Sequence, residues 1–211
     1  EASIDLGIYN PIKMSIDEVI NITRECETSA FDSDKRIVNS EGSSFSTTNS
    51  EHMIISSNGT FGHYKSSGHY LSCIVIAQED SSMERDYWYA ASPDFRELES
   101  PDIVGKKAAE RAISRLGAKA ISTRSCPVIF SPEMSSSIIA NFLTAISGPA
   151  IYKKASFLLD SIGKNIFPDY ISLKEVPLIK GGSGTRPFDS DGVVTHDKII
   201  VNDGVLETYL L

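Results

Sequence analysis

From Arg36 to Ser92 the sequence falls into short stretches that alternate polar and apolar residues: "RIVNSEG", "SSFSTTNS", "HMIISS", "YLSCIVIAQ" and "RDYWYAAS". A period of two is the signature of strands with one covered face, so this segment commits the chain to a sheet. Turn signals at Asn58-Gly59 and at Ser66-Ser67-Gly68 predict an antiparallel meander. Within "RDYWYAAS", alternation sends Tyr87 and Tyr89 to one face and Asp86 and Trp88 to the other. Such aromatics serve either as core packing or as a strand edge that receives a peptide, and alternation alone leaves both open.

Helices flank the meander. Ser15 and Glu18 have capping-box spacing ahead of Ile16, Val19, Ile20 and Cys26, which predicts a helix over about 15–30. A second helix is predicted with its cap near Ser100, Pro101 and Asp102 in its first turn, Ile103, Val104, Ala108, Ala112 and Leu116 inward, and Gly117 as its stop. Helix, meander and helix make one α+β domain, with its boundary near residue 124. The strand-like "CPVIF" then leads into "SPEMSSSIIANFLTAISG", a third helix with Ser131 as N-cap, Pro132 in first position and Gly148 as stop. Its expected core face is Ile138, Ile139, Phe142, Leu143 and Ile146. Residues 125–211 form a second domain that mixes helix with antiparallel strands and closes on the hairpin "KIIVNDGVLETYLL". Because the chain opens on Glu1 and closes on the apolar "ETYLL", we expect it to be cut at both ends and its second domain to be partial.

Composition narrows the function. With 211 residues, 41% of them apolar, the chain can bury one sizeable core or two modest ones. The net charge of −8 repels polyanions, and the 20 Lys and Arg are scattered, which argues against direct nucleic-acid contact. No signal-peptide core or run of membrane-spanning length is present. Cys26, Cys73 and Cys126 are odd in number and show no CxxC spacing, which fits a reducing, cytoplasmic setting.

The glycine cluster "KGGSGTRPFDSDG" is the first place to look for chemistry. A P-loop would need Lys and then Ser or Thr after the last glycine, where Thr185-Arg186 stand; a dinucleotide fingerprint would need glycine in place of Pro187. A serine-hydrolase elbow around Ser183 would need glycine in place of Thr185. The backbone amides of Gly181 to Gly184, with Arg186 beside them, are left as either a cradle for an anion or peptide carboxylate or a plain flexible turn. His63 and His69 in "GHYKSSGHY" are predicted on either side of a turn, where two imidazoles can share a metal. Without a Cys, Asp or Glu at a matching position, exposed strand residues are the favoured reading. His52 and His196 read as lone surface residues.

The tail "GGSGTRPFDSDGVVTHDKIIVNDGVLETYLL" resembles the signature of the TldD/PmbA family, a G-S-G-x-x-x-F-D-x-[DE]-G loop before a strand, an "x-x-G-x-L" turn and a "YL" strand. "SMERDYWYAASPDFRELESPDIVGKKAAERAISRLGAKAIST" and "PVIFSPEMSSSIIANFLTAISGPAIYKKASFL" are similar to the family as well. In the zinc-bearing TldD branch an H-E-x-x-x-H motif follows two aliphatic residues on this same helix. Aligned on Ile138 and Ile139, its ligand and base positions fall on Ala140, Asn141 and Ala145, none of which can ligate zinc or activate water. The resemblance is therefore to the PmbA (TldE) branch. It implies a chain with no catalytic residue and no metal or cofactor of its own. It also implies pairing with a TldD-type zinc homologue, or with a second copy, in a cytoplasmic dimer that degrades unfolded or small peptides or processes peptide-antibiotic precursors. The loop residues Gly182, Ser183, Gly184, Arg186, Phe188 and Asp189 are the candidate peptide-binding loop. The alternative is a regulatory protein acting on DNA gyrase or a gyrase-directed toxin.

Overall fold

The computed structural model describes residues 5–210 and is α+β. It separates into two compact units: residues 1–120 with 177–195, and residues 121–176 with 196–211. The division read from sequence at residue 124 would give 177–195 to the second domain; in the structure these residues return to the first unit.

The first unit is built on an antiparallel sheet of three strands in sequential order, β1 (Ile37–Ile55), β2 (Phe61–Glu79) and β3 (Ser82–Ser92). The first three alternating stretches fuse into β1, which pairs with β2 over its whole length, from Ile37 opposite Ala77 to Ile55 opposite Phe61. Asn58-Gly59 does form the expected turn, where Ser56 and Thr60 close the hairpin with a 2.9 Å bond and Gly59 takes φ 91°. Ser66-Ser67-Gly68, by contrast, lies inside β2. Opposite it, Gly68 to Ser66 pair with Thr48 to Ser50, and this ladder outweighs local turn preference. β3 pairs only with residues 69–79 of β2, so the distal half of the β1–β2 hairpin continues as a two-stranded ribbon.

α1 (Ile16–Ser33) and α2 (Pro101–Ser114) supply the helical side of the core. The capping box of α1 is present, with the Ser15 amide donating to Glu18 at 2.7 Å and the Glu18 amide to the Ser15 hydroxyl at 3.3 Å. The buried stripe of α1 runs through Cys26 and Ala30 with Ile22 beside it. Ile16 and Ile20, expected inward, are exposed. On α2 the stripe is Val104, Gly105, Ala108, Ala109 and Ala112, while Ile103 is exposed. These small residues allow close approach to Leu71, Cys73, Val75 and Ala77 on the inner face of β2. Asp86 and Trp88 turn inward and Tyr87 and Tyr89 outward, as alternation predicts. The Trp88 indole N–H donates to Glu99 at 2.8 Å, and Lys107 lies 4.8 Å from the ring centre.

The second unit packs α3 (Pro132–Ala145) and α4 (Gly148–Tyr152) with a small sheet of β4 (Leu173–Glu175), β5 (Lys198–Asn202) and β6 (Val205–Leu206). Asp203 (φ 47°) and Gly204 (φ 83°) make the expected two-residue turn between β5 and β6. Gly148 does not stop α3. That helix ends at Ala145, and Gly148 opens α4, its amide bound to the Leu210 carbonyl at 2.6 Å. The core face of α3 is Phe142, Ala145 and Ile146, with Leu143 partly covered and Ile138 exposed. Cys126 to Phe130 form no strand among the described residues, since strand propensity acts only where a partner edge exists. No helix among the described residues is long and apolar enough to cross a membrane.

Candidate peptide-binding site

The ribbon's alternation places His52 and Ile54 of β1 on one face with Tyr64 and Ser66 of β2, His52 directly opposite Tyr64. The two rings stack with centres 4.5 Å apart. Against them comes the glycine cluster. Phe188 sets its ring edge to the Tyr64 ring at 5.1 Å, and Gly62 leaves it room, since a Cβ there would stand 2.7 Å from the Phe188 ring. Gly192 performs the same service at the hairpin end, where φ 84° and the closeness of Thr60 and Ile54 admit no side chain without strain.

The loop itself is held internally. Gly182 donates to the Ile179 carbonyl at 2.9 Å, Thr185 to Gly182 at 3.0 Å and Arg186 to Pro177 at 3.2 Å. The Thr185 side chain is buried and donates to the Ile179 carbonyl. Asp189 accepts from the amides of Asp191 and Val193, both at 2.9 Å, and so fixes the turn that positions Phe188.

Between ribbon and loop lies a cavity of about 660 Å³, lined among others by His52, Tyr64, Ser183, Gly184, Arg186 and Phe188. Its size is that of a small-ligand or short-peptide site. The six loop residues named from sequence, Gly182, Ser183, Gly184, Arg186, Phe188 and Asp189, all line it. Sequence reading missed its opposite wall. His52 is a surface residue, as the sequence predicts, but it is not alone: the period-two pattern of "SEHMII" and "FGHYKSS", folded at Asn58-Gly59, carries the pairing that brings it onto Tyr64.

The other histidines take separate roles. His63 and His69 lie on the same strand, not across a hairpin, with burial and surroundings that differ. His63 is on the outside, 2.7 Å from Glu51, which also meets Lys65 at 3.5 Å; the His63 hydrogen bond and the nearby Lys65 charge hold the Glu51 carboxyl below its ordinary range. His69 is buried, with Nε2 3.0 Å from the Asn10 carbonyl and Nδ1 2.9 Å from the Thr47 hydroxyl. A carbonyl only accepts, so Nε2 carries the proton and Nδ1 accepts from Thr47. His69 is a structural tie for the segment around Asn10, which Ser67 secures too by accepting from the Asn10 amide at 2.8 Å.

On α3, Ala140 and Asn141 are exposed, the Asn141 amide donates to the Ser137 carbonyl at 2.9 Å, and Ala145 is packed in the core. These residues do not fit a zinc ion, having neither imidazole nor carboxylate to offer it. Among the described residues no group of three His, Cys, Asp or Glu is placed to hold a metal.

Residues 9–116 match the PmbA/TldA metallopeptidase central domain, and residues 123–211 match the PmbA/TldA metallopeptidase C-terminal domain. The chain is 40% identical to Metalloprotease PmbA of Escherichia coli O157:H7 over 207 residues, 98% of this chain and 46% of that protein. It is also 40% identical to the Metalloprotease PmbA homolog of Buchnera aphidicola from Acyrthosiphon pisum over 209 residues, 99% of this chain and 47% of that one. It thus spans about half the length of the curated relatives it matches. Among solved structures, a candidate modulator of DNA gyrase from Bacteroides thetaiotaomicron superposes with TM-score 0.91 at 29% identity, covering 99% of this chain and 48% of that one. TldE from Thermococcus kodakarensis shares the fold, with TM-score 0.69 at 17% identity over 96% of this chain and 48% of that one. With both domain profiles matched in sequence order on an α+β framework, the chain belongs to the PmbA/TldA metallopeptidase family, also called TldD/PmbA.

Proposed function

We propose that this chain is part of a PmbA/TldE-type non-zinc subunit that binds peptide and works with a zinc-bearing TldD-type homologue, in a cytoplasmic assembly that degrades or processes unfolded or small peptides. The observation that carries this reading is on α3. At the family's motif positions, Ala145 is part of the apolar core, and Ala140 and Asn141 offer no ligand or base. The cavity lined by the loop 182–189 and the His52–Tyr64 face supports the peptide-binding half of the proposal. The test is co-purification with the zinc homologue of the same cell, followed by peptidase assays on each alone and on the mixture. Activity confined to the mixture supports the subunit role; activity of this chain alone, or a mixture no better than the zinc homologue by itself, rejects it.

The second reading, a regulatory protein acting on DNA gyrase or a gyrase toxin, is favoured by the description of the Bacteroides relative as a candidate gyrase modulator. The net charge of −8 points such a role toward protein contact instead of DNA. A supercoiling assay with and without the protein separates the two readings.

A further inference from the structure

We infer that the cavity under the glycine loop recognises the C-terminal carboxylate of an extended peptide. This rests on the peptide-binding reading above and names the substrate class of that same site. Of the amides along the loop, those of Gly181, Gly182, Thr185 and Arg186 are used inside the chain, by the Leu6, Ile179, Gly182 and Pro177 carbonyls at 2.8, 2.9, 3.0 and 3.2 Å. The amides of Ser183 and Gly184 form no hydrogen bond among the described residues, and both residues line the cavity. Two consecutive unused N–H groups in a glycine turn form the kind of concavity that receives an anion.

The charges around the cavity point the same way. Its two carboxylates are already engaged: Glu51 with His63 at 2.7 Å and Lys65 at 3.5 Å, Asp189 with the amides of Asp191 and Val193. Arg186, next along from Thr185, has no ion pair among the described residues and lines the same space. Arg186 forms no ion pair with either carboxylate among the described residues, which leaves one guanidinium and two amide donors for an incoming anion. The remaining wall is aromatic, the stacked His52 and Tyr64 rings with Phe188 set edge-on to Tyr64. A peptide end suits this pairing, its carboxylate on Ser183, Gly184 and Arg186 and an apolar last side chain on the rings. Free inorganic anions would leave the aromatic wall unused.

The test uses the pentapeptide Ala-Ala-Ala-Leu-Phe, labelled with fluorescein at its N-terminus, as the free acid and as the C-terminal amide. Binding to the intact chain is followed by fluorescence anisotropy at low salt. The acid is expected to bind about tenfold or more tightly than the amide, the range of a charge-assisted contact. Arg186→Gln should weaken the acid more than the amide, cutting the acid's advantage severalfold while the melting temperature stays unchanged. Gly182→Ala, whose Cβ would crowd Thr185 Oγ1 at 2.9 Å, should reduce the acid's advantage. Equal affinity for the two forms, or equal weakening of both by Arg186→Gln, overturns the inference and leaves peptide binding standing. Amidated Ala-Ala-Ala-Leu-Glu binding as tightly as the acid overturns it in favour of an acidic side chain. Binding of neither form also overturns it, and the subunit role then rests on the peptidase mixture assay.

Discussion

Gly105 of α2 lies directly against the backbone of Cys26 in α1, where a Cβ would overlap the Cys26 carbonyl oxygen and press on the Ala30 amide at 3.1 Å. Backbone against backbone leaves no flexible side chain to give way, so the two helices must part to admit even a methyl group. Gly105→Ala is therefore expected to destabilise the first unit by about 1–3 kcal/mol, although alanine favours helix at an unhindered site. Urea unfolding followed by Trp88 fluorescence measures it; an unchanged midpoint would mean that the helices do not meet at Gly105.

Burial in the core between α1 and β2 determines thiol reactivity. Cys26 and Cys73 are both fully buried, whereas Cys126 is exposed. The Cys26 contact and burial push the Cys73 thiol far up from its ordinary value. A thiol reagent should label one cysteine in the native protein and three after denaturation, with Cys126→Ser abolishing the native reaction.

Asp86 carries a pH dependence. Burial raises its pKa, but the Tyr87 amide at 2.8 Å, the Arg111 charge and the hydrogen bonds from Arg115 and Arg111 outweigh burial and hold it below the ordinary carboxylate range. A depressed folded-state pKa gives stability that is present above the unfolded value, about 3.9, and is lost as pH falls through the folded value. Asp86→Asn should cost roughly 1–3 kcal/mol at pH 7. The gap between variant and parent should close as the solution is taken below pH 4, which chemical denaturation at stepped pH measures.

On α3, Phe142 packs its ring edge-on to Phe167 at 5.1 Å, while Asn141 next to it is exposed. Phe142→Ala should cost about 3–5 kcal/mol, and Asn141→Ala should stay within about 0.5 kcal/mol. Equal melting temperatures would place the core on another face of α3.

Sequence made the helix caps and the inward turn of Trp88 legible because caps and alternation are local. Ser15 with Glu18, and Ser100 with Pro101, act within one helical turn, and the structure keeps both. What sequence misplaced depends on distant partners. Ser66-Ser67-Gly68 has turn composition, yet Thr48 to Ser50 hold it in a ladder. Ile16 and Ile103 have helix-face spacing, but no tertiary partner buries them. At the candidate site the glycine loop was legible from its composition, while the aromatic wall was not, because Tyr64 and Phe188 meet only through tertiary contact.

The return of residues 177–195 to the first unit has a consequence for the newborn chain. The ribbon face around Tyr64 and Ile54 is translated early, yet Phe188, which closes over it, emerges roughly 120 residues later, on the order of ten seconds at ribosomal speed. During that interval two long paired strands carry an uncovered aromatic face, with no third strand beside their distal half. Any holdase that meets this protein on the ribosome would find its grip there, and release would coincide with the arrival of the glycine loop.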